Sequence, residues 1–132
     1  MKPLTQEWID KADADYATML RESRARKKRN LDGACFHGRQ CVERYLKGSL
    51  VESEVSLPRT NDLLALWALN LSVHPDWDFL EKEMEFLNEF GEWILYPGVN
   101  ADETSAKTVV EHCRTVREAI RHTLGLDKSL LL

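Results

Sequence analysis

A chain of 132 residues, 43% hydrophobic and 30% charged, has the length of one domain and enough apolar material to enclose a single core. That balance excludes a disordered polymer, and no apolar run approaches the roughly 20 residues that a membrane-spanning helix needs. The formal net charge of -4 makes the molecule as a whole repel polyanions, so any contact with nucleic acid has to be local.

The opening residues Met1 to Glu7 lack the apolar core of a secretion signal, and a cytoplasmic protein is expected. The first helix is predicted from about Thr5 to Arg29. Trp8, Ile9, Ala12, Tyr16, Met19 and Leu20 recur at steps of three and four, with Thr5 as its cap. Glu7, Asp10, Asp13 and Asp15 lie early on it. Six of the nine residues from Arg21 to Arg29 are Arg or Lys, a polarity that suits the helix dipole. The same run also reads as a local phosphate-facing patch.

A second helix is predicted from near Asp32, its expected cap, to about Val51. Ala34, Gly38, Cys41, Val42, Tyr45, Leu46, Ser49 and Leu50 form its stripe. A glycine inside a helix costs about 1 kcal/mol, so Gly38 implies the close approach of another backbone. Glu52 to Arg59, with Pro58, reads as a connection. Thr60 or Asn61 is the expected cap of a short helix that carries Leu63, Leu64, Leu66, Trp67, Leu69 and Leu71 and stops at His74-Pro75.

The fourth helix is predicted from Asp76 or Asp78, with Asp78 and Glu81 as a capping box. Leu80, Met84, Leu87 and Phe90 face inward, and Glu81, Glu83, Glu85 and Glu89 make an acidic side. Gly91 and Tyr96-Pro97-Gly98 interrupt the pattern. The last helix is predicted from about Asp102 to Leu124, with Asn100 and Glu103 as its capping box and Gly125 as its stop. Ala106, Val109, Val110, Cys113, Val116, Ile120 and Leu124 keep helical spacing. The apolar tail Leu126 to Leu132 is expected to pack onto the body or a neighbour. Sustained period-two alternation is missing, so the expected class is all-α: one domain over residues 1–132, an up-and-down bundle of four to five helices.

Cys35, Cys41 and Cys113 form an odd set without framework spacing and read as reduced, packed thiols. His37 lies near Cys35 and Cys41, and His112 adjoins Cys113. Neither arrangement is a zinc spacing, and no metal or cofactor is expected. Trp67, Trp77, Trp93 and Tyr96 have the chemistry to stack bases, although their setting favours the core.

The second helix carries Cys35-Phe36-His37-Gly38-Arg39-Gln40-Cys41-Val42-Glu43-Arg44-Tyr45-Leu46-Lys47. This run closely resembles the signature helix of HEPN domains, approximately C-F-H-x-x-Q-x-x-E-K-x-L-K. Glu7 to Tyr16 resembles the family's opening helix. Arg59-Thr60-Asn61-Asp62-Leu63 resembles its threonine-histidine-x-leucine segment, and Leu95-Tyr96-Pro97 its arginine-tyrosine-proline segment. The resemblance covers nearly the whole chain in order. It implies a helical bundle that commonly forms a homodimer, in a setting of nucleotides, RNA or a partner nucleotidyltransferase, often toxin–antitoxin-like. It also implies that in ribonuclease members an arginine and a histidine four to six residues apart supply the chemistry.

This chain departs from that pattern at Asn61 and Leu95, where the family has histidine and arginine. Leu95 cannot clamp a phosphate, and Asn61 cannot transfer a proton near neutral pH. Arg117 and His122 match the ribonuclease spacing formally, but five helical positions separate side chains by about 140°. They would not converge within one chain, and a solvated Arg and His at a helix end is the plainer reading.

His37, Gln40, Glu43 and Lys47 share faces of the second helix. With Asn61 and Tyr96 they are the candidate ligand-binding residues, Lys47 for phosphate and Gln40 for a base or sugar. The competing reading of Glu43 and Lys47 is a plain i,i+4 pair worth a few tenths of a kcal/mol. The leading expectation is a non-catalytic dimeric module for a nucleotide, an RNA or a nucleotidyltransferase. The alternatives are a metal-independent ribonuclease toxin using Arg117 and His122, with His37 or Lys47 assisting, and a scaffold bundle.

Overall fold

The structure, a computed structural model, describes residues 1–126. Its helices are α1 Pro3–Arg24, α2 Leu31–Glu52, α3 Leu63–Leu71, α4 Glu81–Asn88 and α5 Glu103–Thr123, with no strand among the described residues. Two 3₁₀ turns, Pro75–Leu80 and Glu92–Leu95, lie on either side of α4. The bundle expected from periodicity is the fold observed.

α1 and α2 lie antiparallel. The Lys2 backbone N–H donates to Glu52 Oε1 at 3.0 Å at one end, and Met19 meets Gly38 further along. The short α3 and α4 together return the chain, so that α5 runs in the same direction as α2. Ala101 N–H donates to Asp32 Oδ1 at 2.7 Å where both helices start, and Arg121 reaches Tyr45 near their other ends. Asn70, 1% exposed, ties α3 to α2 by donating to the Leu46 carbonyl at 3.2 Å.

One cluster of buried side chains drawn from all five helices fills the interior. Burying one such side chain stabilises by about 1.5–3 kcal/mol. Leu46, Leu50, Leu66, Leu80 and Leu87, all fully buried, therefore outweigh any single polar contact described below.

The three long helices meet at Gly38. A Cβ there would stand 2.4 Å from Val109 Cγ1 and 2.9 Å from Met19 Sδ. The expected close approach is real, but it is made by side chains of α1 and α5 rather than by a backbone. A second tight contact lies at Gly48, where a Cβ would meet Trp8 Cβ at 3.0 Å.

Helix boundaries and caps differ from expectation in several places. α1 starts at Pro3, whose fixed φ suits a first helical position, and Thr5 is buried inside the helix instead of capping it. α1 also stops at Arg24. The apolar stripe ends at Leu20, and the cations beyond it have nothing to bury and repel one another at i,i+4, so the chain turns out through Ala25 and reaches φ 53° at Lys28. Asn30, not Asp32, caps α2, accepting from Gly33 N–H at 2.8 Å.

Asp62 caps α3 through Leu64 N–H at 3.0 Å, and this leaves Asn61 free for other contacts. Asp78 makes no cap bond because Pro75 starts a 3₁₀ turn around it. Asp102 rather than Asn100 caps α5, accepting from Ser105 N–H at 2.7 Å. Gly125 ends α5 as expected. With φ 71° it lets its own N–H bond the His122 carbonyl and the next N–H bond that of Arg121. Leu126 packs against the core, and the rest of the apolar tail lies outside the described residues.

Candidate functional site

Two residues sit where the helical spacing of α1 calls for core but carry charge. Asp15 falls between Ala12 and Met19 on the buried stripe and is 4% exposed, so its carboxylate requires partners. α2 supplies three. His37 Nδ1 lies 2.9 Å from Asp15 Oδ1, Gln40 Nε2 donates to the same oxygen at 3.1 Å, and Arg44 Nη1 donates to Oδ2 at 3.0 Å. One buried carboxylate thus gathers residues 37, 40 and 44, which are spaced to share one face of α2.

Asp13 faces the other way. It accepts from the Tyr45 hydroxyl, from Arg117 Nε at 3.2 Å and from Arg121 Nη1 at 3.1 Å. The Arg117 guanidinium also lies 4.1 Å from the Tyr16 ring centroid, a cation–π contact. Burial opposes the Arg117 charge, yet the acidic groups of Tyr45 and Asp13 hold its pKa above the ordinary value. Burial, and then the bond to Asp13, pushes the Tyr45 hydroxyl well above the usual phenol range.

The adjoining face of α2 carries a chain of ion pairs. Arg39 Nη1 donates to Glu43 Oε1 at 2.7 Å, and Lys47 Nζ donates to Glu43 Oε2 at 3.0 Å. Arg39 also donates to the Asn61 carbonyl, and Lys47 to Asn61 Oδ1 at 3.0 Å. Asn88 of α4 closes the array, accepting from Leu63 N–H at 2.9 Å and donating to Asp62 at 2.7 Å. The Glu43–Lys47 pair is only 14% exposed on each side chain, so it is a better-shielded contact than a solvated i,i+4 pair.

The predicted residues therefore fall into two groups and an outlier. His37 and Gln40 meet at Asp15, while Glu43, Lys47 and Asn61 meet beside Arg39. Tyr96 stands apart, 62% exposed after the second 3₁₀ turn, together with Trp93 at 46% and Leu95 at 54%. Trp67 and Trp77 are core, as their setting favoured; Trp93 and Tyr96 are not. Arg117 is no solvated helix-end residue. It is 6% exposed and turned onto Asp13, whereas His122 faces outward.

The model of the HEPN domain family matches residues 5–123. The chain belongs to the HEPN family. No curated protein and no solved structure matches it. Membership brings the HEPN association with nucleotides and RNA at family level. Asn61 holds a lysine within the fold, and Leu95 presents an alkyl group to solvent.

Sequence reasoning missed Asp13, Asp15, Arg39 and Asn88 as organising residues of this HEPN domain. The signal for Asp15 was present, since an acid at a core-facing step of a helix demands a partner. The three cysteines are buried and free. Burial, with a small push from Asp32 and Asp102, raises the Cys35 thiol to about 12. Burial and the contact with Cys113 raise Cys41. Among the described residues, no three His, Cys, Asp or Glu side chains converge as metal ligands, and no helix is long and apolar enough to cross a membrane.

Proposed function

We propose that this HEPN domain is a non-catalytic dimeric module that binds a nucleotide, an RNA or a nucleotidyltransferase partner. One observation carries the non-catalytic part. The cations Arg39 and Lys47 of the second helix point at Glu43 and Asn61, and the two positions of family chemistry hold Asn61 and Leu95. A proton carrier and a phosphate clamp are both missing from those positions. The exposed Trp93, Leu95 and Tyr96 support association, since large apolar side chains grouped at a surface mark protein contacts.

The test has three arms on the full chain. Light scattering reads the oligomeric state, thermal shift reads nucleotide binding, and labelled RNA incubated without metal reads cleavage. The expected results are a dimer, a nucleotide-dependent rise in melting temperature, and intact RNA. A monomer that responds to no nucleotide and captures no partner refutes the reading.

The Asp15–His37 pair favours one alternative, a metal-independent ribonuclease, because a carboxylate that fixes one ring nitrogen leaves the other to exchange a proton. RNA cleavage abolished in His37→Ala or in His122→Ala would establish it. Intact RNA with the wild-type chain removes it.

A further inference from the structure

A cleft of about 440 Å³ opens between the first half of α1, the second half of α2 and the α2–α3 connection. It is lined by Leu4, Glu7, Trp8, Lys11, Arg44 and Leu57. It is more apolar than the ion-paired seams described above and shares Arg44 with one of them. Leu4 and Leu57 are large apolar side chains left 53% and 38% exposed, and Trp8 offers indole surface between them. Two cations stand at its mouth. Lys11 is exposed, and among the described residues Arg44 bonds Asp15 through Nη1, which leaves further donors of its guanidinium for another acceptor.

An aromatic surface beside two cations, with apolar walls and a volume within the usual small-ligand range, has the chemistry to hold a flat ring that carries an anion. We propose that this cleft binds a single ribonucleoside monophosphate. The base stacks on Trp8 between Leu4 and Leu57, the phosphate accepts from Arg44 and Lys11, and the Glu7 carboxylate accepts from sugar hydroxyls. The inference rests on the nucleotide-binding reading above and assigns it a place.

The charges around the cleft choose a mononucleotide over a polymer. Around the cleft Glu7 and Asp10 stand with Glu52 and Glu54, which Lys2 holds. Lys47, 5.7 Å from the Trp8 ring centroid, is paired with Glu43, so a polyanion extending beyond Lys11 and Arg44 meets acids and paired cations. Asp15 also holds Arg44 by a part-buried contact, so its guanidinium is in position before a phosphate arrives.

Calorimetry and NMR of the full chain with AMP, adenosine and a short oligoribonucleotide test the proposal. Of the four tryptophans, Trp67 and Trp77 have their indole N–H groups bonded internally, at 2.9 Å and 3.0 Å, and serve as controls. AMP is expected to shift the Trp8 indole signal and leave those two in place. Adenosine, which loses both phosphate contacts, should bind about a hundredfold more weakly, and Lys11→Ala, at an exposed position, should weaken AMP about tenfold, the loss of one charge-assisted contact.

AMP binding that is equal in wild type, Lys11→Ala and Trp8→Leu overturns this site while leaving the nucleotide reading intact. Oligoribonucleotide binding tighter than AMP overturns the choice of ligand. Absence of any AMP binding, with the folded spectrum preserved, overturns the proposal, and only a chain that responds to no nucleotide in the thermal-shift series overturns the nucleotide reading as well.

Discussion

Replacing Asp15 by alanine separates a structural role of its carboxylate from a decorative one. The substitution removes three hydrogen bonds that join α1 to α2, those with His37, Gln40 and Arg44. Bonds to charged groups are worth about 1.5–3 kcal/mol and neutral ones about 0.5–1.5 kcal/mol. The His37 and Arg44 side chains keep 32% and 30% of their exposure and rehydrate when released, so each counts for about 1 kcal/mol, as does Gln40. Alanine returns about 0.5 kcal/mol through its better helix propensity. The expected net loss is about 2.5 kcal/mol, which for 132 residues lowers the melting temperature by about 8–12 °C. Urea denaturation of wild type, Asp15→Ala, Arg44→Ala and the double variant supplies the stability and the coupling. A loss under about 0.5 kcal/mol, or two single effects that simply add, refutes the reasoning.

Gly38→Ala gains about 1 kcal/mol of helix propensity but drives a methyl against Val109, which is stiff and fully buried, at an expected cost of about 3 kcal/mol. Denaturation should show a net loss of about 2 kcal/mol, largely restored by adding Val109→Ala; a stabilised single variant contradicts the packing described. His74 stacks on Trp77 with ring centroids 4.3 Å apart, and burial lowers its pKa below the ordinary 6.5. Because the unfolded chain takes up this proton first, its contribution is complete above about pH 6.5 and is lost as pH falls from there through the lower folded value. His74→Phe should flatten that acid-side decline in a pH series of melting curves, and an unchanged slope argues against it. The three cysteines should resist a thiol-labelling reagent in the native chain and all react in urea, as buried thiols with raised pKa values require.

The helices were legible because their stripes are long and regular. Ile9, Ala12, Tyr16 and Met19 on α1, and Val109, Cys113, Val116 and Ile120 on α5, were read from spacing and are all buried. The caps were less legible, since several side chains near each start have the right chemistry and tertiary contacts decide among them. Asp32, for example, is taken by Ala101 N–H, which leaves Asn30 to cap. The site was legible only in part. His37, Gln40, Glu43 and Lys47 lie on α2 and could be aligned by helical spacing. Their partners Asp15 and Asn61 sit on other elements, and one-dimensional periodicity says nothing of which helix faces which. Arg117 shows the same gap from the other side, because its spacing to His122 caught the eye while its partner Asp13 lies 104 positions away.

Asp13 and Asp15 are two positions apart, so on α1 their side chains leave the axis about 200° apart. One is held by α5 and Tyr45, the other by the outer face of α2. Rolling α1 about its own axis in either direction breaks both sets of bonds. Leucine and valine contacts hold this helix in the bundle, and the two acids fix the angle at which it sits.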